Sequence, residues 1–143
     1  TKLKELLLER TPIASLDVSR NTELEKLYTE KTQLTQLDIR ANTKLKELKS
    51  SLCPITTFVL GDNTTLEHLD ISACKLSTID IRKLTALKAI YAGAQGNSSG
   101  TDQLMTIYYT ASQQATLTEI IKSSKNKPSG PQSNRNTSYV VKN

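Results

Sequence analysis

The chain has 143 residues, 23% of them charged, and a formal net charge of +5. That length fits one domain, and no stretch reaches the ~18 consecutive apolar residues of a membrane-spanning helix, so no transmembrane segment is expected. The positive charge is local: residues 120–143 carry Lys122, Lys125, Lys127, Arg135 and Lys142 and no acid, while basic and acidic side chains balance over residues 1–119. A neutral front with no basic stripe argues against nucleic-acid binding. The basic end reads as a solvated tail, with an anionic surface as the sharper alternative.

From Leu3 onward the chain repeats every 21 residues. Leu3, Leu24, Leu45, Leu66 and Leu87 keep that spacing, as do Leu6, Leu27, Leu48, Leu69 and Ile90. Ile13, Leu34, Ile55 and Leu76 follow, then Leu16, Leu37, Phe58 and Ile79, then Val18, Ile39, Leu60 and Ile81. A unit this short cannot bury its own apolar face, so units must stack and share one core along a solenoid axis. Within each unit a strand is expected through Leu3, Leu6 and Leu8 and their equivalents, where inward and outward side chains alternate. Thr11, Thr32, Cys53 and Cys74 come next and should point inward to satisfy loop backbone groups. The far side, through Leu16 and Val18, shows no long amphipathic run and reads as extended or briefly helical, with Asp17, Asp38 and Asp80 outward. Asn21, Asn42 and Asn63 stand at the next turn, a place suited to a residue that tolerates left-handed backbone. Thr29 and Ser50 replace apolar residues at a core position and are expected to be buried and hydrogen-bonded, at some cost to the middle repeats.

Beyond Ala92 the pattern breaks. Gly93 to Thr101 reads as an irregular loop. Leu104, Ile107 and Tyr109 keep the Leu-x-x-Leu-x-Leu spacing and suggest a sixth strand. Ser112 is placed to cap a short helix whose apolar face holds Leu117, Ile120 and Ile121. A polar linker over 127–136 leads to a last strand at Tyr139-Val140-Val141. The expected organisation is repeats over 1–92, then loop, sixth strand and C-terminal cap over 93–143.

Each unit reads Leu-x-x-Leu-x-(Leu/Thr/Ser/Ile/Ala)-x-x-(Thr/Cys)-x-(Ile/Leu), shown first by Leu3-x-x-Leu6-x-Leu8-x-x-Thr11-x-Ile13. This resembles the leucine-rich repeat signature, with Thr or Cys at the usual Asn/Cys position. The phrase Leu-Asp-Val-Ser-x-Asn-Thr at residues 16–22 is similar to short-repeat, internalin-like proteins exported by bacteria. The resemblance implies a leucine-rich repeat solenoid of the α/β class, strand-dominated, with about five repeats forming a parallel concave sheet and a C-terminal capping segment. It also implies secretion or cell-surface display. Because Thr1 aligns with Thr22 in mid-motif, a preceding flank holding the signal or a cap is expected; without one, the first repeat would expose an edge that dimerises.

Concave-face candidates fall into columns. One runs Lys4, Glu25, Lys46, Glu67, Lys88 and its neighbour Glu5, Lys26, Glu47, His68, Ala89; the alternating signs read as register control and solubility. The third runs Leu7, Tyr28, Lys49, Asp70, Tyr91 and, if the sixth strand docks alongside, Tyr108. Tyrosine is amphipathic and enriched at binding surfaces. The expected binding residues are therefore Tyr28, Lys49, His68, Asp70, Tyr91 and Tyr108, centred on the corner where Tyr91 and Tyr108 would meet.

Catalytic chemistry is not legible. His68 is the single histidine, and no nucleophile on a sharp turn accompanies it. There is no Gly-rich phosphate loop and no Cys/His cluster at metal spacing. No enzymatic activity, cofactor or metal is expected. Cys53 and Cys74 are expected as free buried thiols, and the Asn63, Asn97 and Asn136 sequons as chance matches. The resulting expectation is a non-catalytic module that binds a protein or peptide. The alternatives are a carbohydrate or cell-envelope ligand, or a structural spacer in a longer surface protein.

Overall fold

The structure is a computed structural model that describes residues 2–92, 105–114, 117 and 137–141. Strands dominate it. Five three-residue strands, β1 (Glu5–Leu7), β2 (Lys26–Tyr28), β4 (Glu47–Lys49), β6 (His68–Asp70) and β8 (Ala89–Tyr91), form one parallel sheet in the order β1-β2-β4-β6-β8. Its register pairs Leu6 with Leu27, Leu48, Leu69 and Ile90 in turn, so each step advances 21 residues and the chain makes about four turns of a solenoid. The far side is extended, as expected: β3 (Gln36–Asp38) pairs with β5 (Thr57–Val59), and β7 (Thr78–Asp80) lies in a separate sheet. Between the two sides Leu24, Leu27, Leu34, Leu37, Ile39 and their equivalents form one continuous core.

The Thr/Cys position satisfies the loop backbone as anticipated. Thr11 and Thr32 donate to the carbonyls of Leu8 and Thr29, at 2.6 and 2.9 Å. The free Cys53 and Cys74 thiols reach across to Thr29 and Ser50 carbonyls, at 3.0 and 3.2 Å. Thr29 and Ser50 are fully buried and share a 2.7 Å hydroxyl contact. Two polar residues thus tolerate a core position by serving each other.

The turns correct one expectation. The asparagines do not take the left-handed backbone. That conformation falls on Arg10, Lys31, Leu52 and Ala73, one position before each Thr/Cys, with φ of 53–59°. There the backbone N–H groups of Arg10, Lys31 and Leu52 donate to the following repeat. Asn42 and Asn63 are instead fully buried. Asn42 Nδ2 donates to the carbonyls of Val18 and Asn21, and Asn63 Nδ2 to those of Ile39 and Leu60. The carbonyls of Val18, Asn21 and Ile39 already accept the backbone N–H groups of Asn21, Leu24 and Asn42, and a short amide that gives such turn carbonyls a further donor is worth more here than one that tolerates positive φ. Burial also removes the Asn63 sequon from any surface.

A second code governs the turn after the far-side strands. Asp17, Asp38 and Asp80 each accept the backbone N–H two residues on, from Ser19, Arg40 and Arg82, which closes an Asx turn. The third repeat has Val59 in place of the aspartate, and Gly61 two residues later has φ of 64°. Where no carboxylate can close the turn, glycine supplies the bend. The β3–β5 pairing ends at this repeat and a new sheet begins with β7.

The sixth strand exists but docks elsewhere. β9 (Met105–Tyr109) pairs in parallel with β7, not with β8, and β10 (Thr137–Val141) pairs with β9. Ile79 lies opposite Ile107, a step of 28 residues where the other far-side pair, Leu37 and Phe58, steps 21. Met105, Ile107 and Tyr109 turn inward and Thr106 and Tyr108 outward. A 3-10 turn, η1 (Ala111–Gln113), follows, and its N-cap is Thr110 rather than Ser112. Leu117 is buried against the core. The expected loop at 93–101, the helix residues Ile120 and Ile121, and the linker at 127–136 lie outside the described residues.

A candidate recognition face on the five-stranded sheet

Strand period places residues on either side of each buried leucine on the open face. In β2, Leu27 is buried while Lys26 and Tyr28 are part-exposed, and β4 repeats this with Leu48, Glu47 and Lys49. Parallel strands in exact 21-residue step then align equivalent side chains in rows about 4.8 Å apart.

The outermost row largely neutralises itself. Glu25 bridges Lys4 and Lys46, at 2.9 and 2.8 Å, and Glu67 pairs with Lys88 at 2.7 Å. Hydrogen bonds from Lys46 and Lys4 hold the Glu25 carboxyl well below its ordinary value, at about 2. Glu67 is lowered likewise by Lys88. In the second row Glu5 pairs with Lys26 at 2.9 Å. Glu47 leaves the alternation: it pairs with Lys49 of its own strand at 2.8 Å.

That diversion builds a three-member cluster at the centre of the face. Lys49 Nζ sits 4.2 Å from the centroid of the Tyr28 ring, a cation–π distance. Burial opposes the Lys49 charge, yet hydrogen bonds to Glu47 and Tyr28 together outweigh it and raise the ammonium above its ordinary value. Burial raises the Tyr28 phenol, helped by its hydrogen bond to Glu47. Glu47 is lowered chiefly by its hydrogen bond to Lys49. Each shift moves its group further from neutral pH, so all three keep their ordinary charge states there.

The remaining expected residues are distributed unevenly. The register sets Tyr28, Lys49, Asp70 and Tyr91 side by side on successive strands. Asp70 turns back, however, and accepts the Ser72 backbone N–H at 3.0 Å and its hydroxyl at 2.7 Å, the same Asx closure seen on the far side. His68 is exposed in the second row, opposite Glu47 and Ala89. Tyr108 is not on this face: it stands on β9 opposite Asp80 of β7. The expected Tyr91–Tyr108 corner is therefore absent, and the centre of the site moves to Tyr28 and Lys49. Glu47 was legible as their partner, since residues two apart on a strand share a face, but the column alternation masked it.

At the last repeat a cleft of about 310 Å³ is lined by Ile81, Leu84, Leu87, Thr110, Gln113 and Leu117, among others, and by none of the six expected residues. Gln113 was missed by the sequence reading. Its Nε2 donates to the carbonyls of Ile81 and Leu84, at 2.9 and 3.3 Å. These positions are equivalent to Val18 and Asn21, which Asn42 serves three repeats earlier. No group of three or more His, Cys, Asp or Glu side chains among the described residues could hold a metal ion. No helix among them is long and apolar enough to cross a membrane.

The fold thus defines a parallel-strand solenoid with a 21-residue turn. Comparison with protein-family models, with curated proteins and with solved structures gives no match for this chain.

Proposed function

We propose that this chain is a non-catalytic recognition module that binds a protein or peptide through the open face of the five-stranded sheet. The observation that carries this reading is the row of Tyr28, Lys49, Asp70 and Tyr91 on adjacent strands. It lies beside an outer row whose charges are mostly committed to one another. An apolar ring under a held ammonium offers a partner both packing area and polarity without needing to be reorganised. His68 adds an exposed polar edge. The face spans five strands, or about 19 Å between the outer strands at the parallel spacing. That dimension suits a strand-like peptide or one small epitope.

The repeat grammar supports placing the chain with leucine-rich repeat proteins, and the Leu-Asp-Val-Ser-x-Asn-Thr phrase supports an exported, secreted or surface-displayed bacterial protein. The segment from β9 to Leu117 would then be the C-terminal cap. Its support is Gln113, which supplies to the last turn the amide that an asparagine supplies to earlier ones.

Capture from cell-envelope and host-surface extracts by the wild-type domain and by Tyr28→Ala/Tyr91→Ala tests the reading. Tyr108→Ala serves as an off-face control and circular dichroism reports folding. Retention of a protein by wild type and Tyr108→Ala but not by the double variant supports the sheet face. Equal capture by all three refutes it and gives weight to a spacer role.

A further inference from the structure

The second row of the open face departs from its own pattern at β8. It reads Glu5, Lys26, Glu47, His68 and Ala89 across β1, β2, β4, β6 and β8. The order is acid, base, acid, base, and the next place calls for an acid. Ala89 stands there, with a side chain that can neither donate nor accept a hydrogen bond. His68 is exposed. On its β4 side it faces Glu47, whose carboxylate Lys49 already holds at 2.8 Å. On its own strand it follows Glu67, which Lys88 holds at 2.7 Å, and precedes Asp70, which is turned to Ser72. On its β8 side it faces only the methyl group of Ala89.

The place above Ala89 is walled for a carboxylate. Ala89 and Tyr91, two apart on β8, share the open face; both are part-exposed while Ile90 between them is buried. Lys88 precedes them with a side chain 64% exposed. Glu25 shows that one charge in this outer row can serve two neighbours, since it pairs with Lys4 and Lys46 at once. Lys88 can in the same way hold Glu67 and a second acid. The floor of the notch is fixed, because the backbone N–H groups of Lys88 and Ala89 both donate to the Glu67 carbonyl, at 2.8 and 3.0 Å. What fits there is a side chain and not an added strand.

We propose that the notch over Ala89 takes an acidic side chain of the partner, an aspartate or glutamate on an extended segment, with His68 and Lys88 as its donors and Tyr91 as its wall. This rests on the reading of the sheet face as a recognition surface and names the chemistry of its partner. Tyr28 on β2 and Ala89 on β8 are three strand spacings apart, about 14 Å. An extended chain advances about 3.3 Å per residue, so an apolar residue resting on Tyr28 and the acid over Ala89 fall about four residues apart. An even separation puts both on one side of that chain.

The probe is the blocked pentapeptide acetyl-Leu-Thr-Thr-Thr-Glu amide, used beside the peptide of reverse order. Each has a control with Gln in place of Glu. Binding is followed in the intact chain by shifts of the His68 ring and of the Ala89 and Tyr91 amides. A histidine gains its charge as pH falls from about 8 to about 5. A bound carboxylate favours the charged form, so binding strengthens as pH falls and weakens as it rises. One of the two Glu peptides should shift these signals saturably and bind about two- to fivefold more tightly at the acid end of that range, the scale of one exposed ion pair. The Gln peptides should show no such dependence. Ala89→Glu, with folding checked by circular dichroism, supplies the acid from the chain itself and should abolish the response, and His68→Ala should remove its pH dependence. Equal binding of Glu and Gln peptides overturns the proposal, as does the absence of a saturable response at millimolar concentration. Wild-type binding by Ala89→Glu, or a pH dependence that survives His68→Ala, overturns it too. The two readings fail separately: tyrosine-dependent capture without a response at Ala89 refutes the acid site alone, and a response at Ala89 without such capture refutes the recognition reading on which it rests.

Discussion

Gly61 gives the sharpest test of how this solenoid turns its corners. A Cβ built there would lie 2.9 Å from both Cα and Cγ of Arg40, and φ is 64°. The Cγ can move but the backbone Cα cannot. For Gly61→Ser the left-handed backbone costs about 1–2 kcal/mol and the close contact about 1–3 kcal/mol. Reduced freedom of the unfolded chain returns about 0.4–1 kcal/mol. The net expectation is a loss of about 2–4 kcal/mol in urea unfolding followed by circular dichroism. The Asx code then predicts its own rescue. Adding Val59→Asp gives the third repeat the Asp-x-Ser pattern that closes the turn at Asp17 and Ser19. The double variant should recover most of the loss, because the carboxylate holds the turn without positive φ. If Val59→Asp/Gly61→Ser is no more stable than Gly61→Ser, the proposed exchange of glycine for aspartate is wrong.

Four further outcomes are expected. Ser50→Ala or Thr29→Val alone should cost about 1–3 kcal/mol by orphaning a buried hydroxyl, while the double substitution should come close to wild type; additive losses in a double-mutant cycle would refute the pairing. Gln113→Ala should cost about 1–2 kcal/mol, since it removes the second, side-chain donor from two turn carbonyls that keep their backbone N–H partners, and hydrogen exchange should quicken first in the last repeat. Glu25, lowered from about 4.5 to about 2 by its two lysines, binds more protons unfolded than folded in that window. Its contribution is therefore full above about pH 4.5 and is lost as pH falls toward 2, so Glu25→Gln should flatten acid unfolding there; an unchanged acid limb would count against the bridge. Burial pushes the Cys74 thiol up to about 12, so thiol labelling at neutral pH should proceed only as fast as the chain opens, and rapid labelling of the folded protein would contradict the buried placement.

Where function is concerned, the face was half legible. The columns that contain Tyr28, Lys49, Asp70 and Tyr91 come directly from the period, and the register honours them strand for strand. What the period could not weigh was competition for each side chain. Asp70 had an equally good partner in the backbone two residues on, and Glu47 had one in Lys49. A column places residues side by side, but it does not say which of several nearby groups a flexible charged side chain will choose. The asparagines teach the same lesson. Their position at the turn was readable, while their use as buried amide donors depended on carbonyls 21 and 24 residues away.

By itself the sequence determined the solenoid, its 21-residue step, the strand register and the inward Thr/Cys ladder. Each repeat states these again, and a period-2 strand with one apolar face leaves no freedom to slip. Tertiary structure decided where the chain goes once the repeats end. Residues 104–109 alternate equally well for either sheet, so the local pattern is silent on which edge they join. Pairing β9 with β7 at a step of 28 residues took Tyr108 away from Tyr91 and brought Gln113 onto carbonyls 32 and 29 residues away.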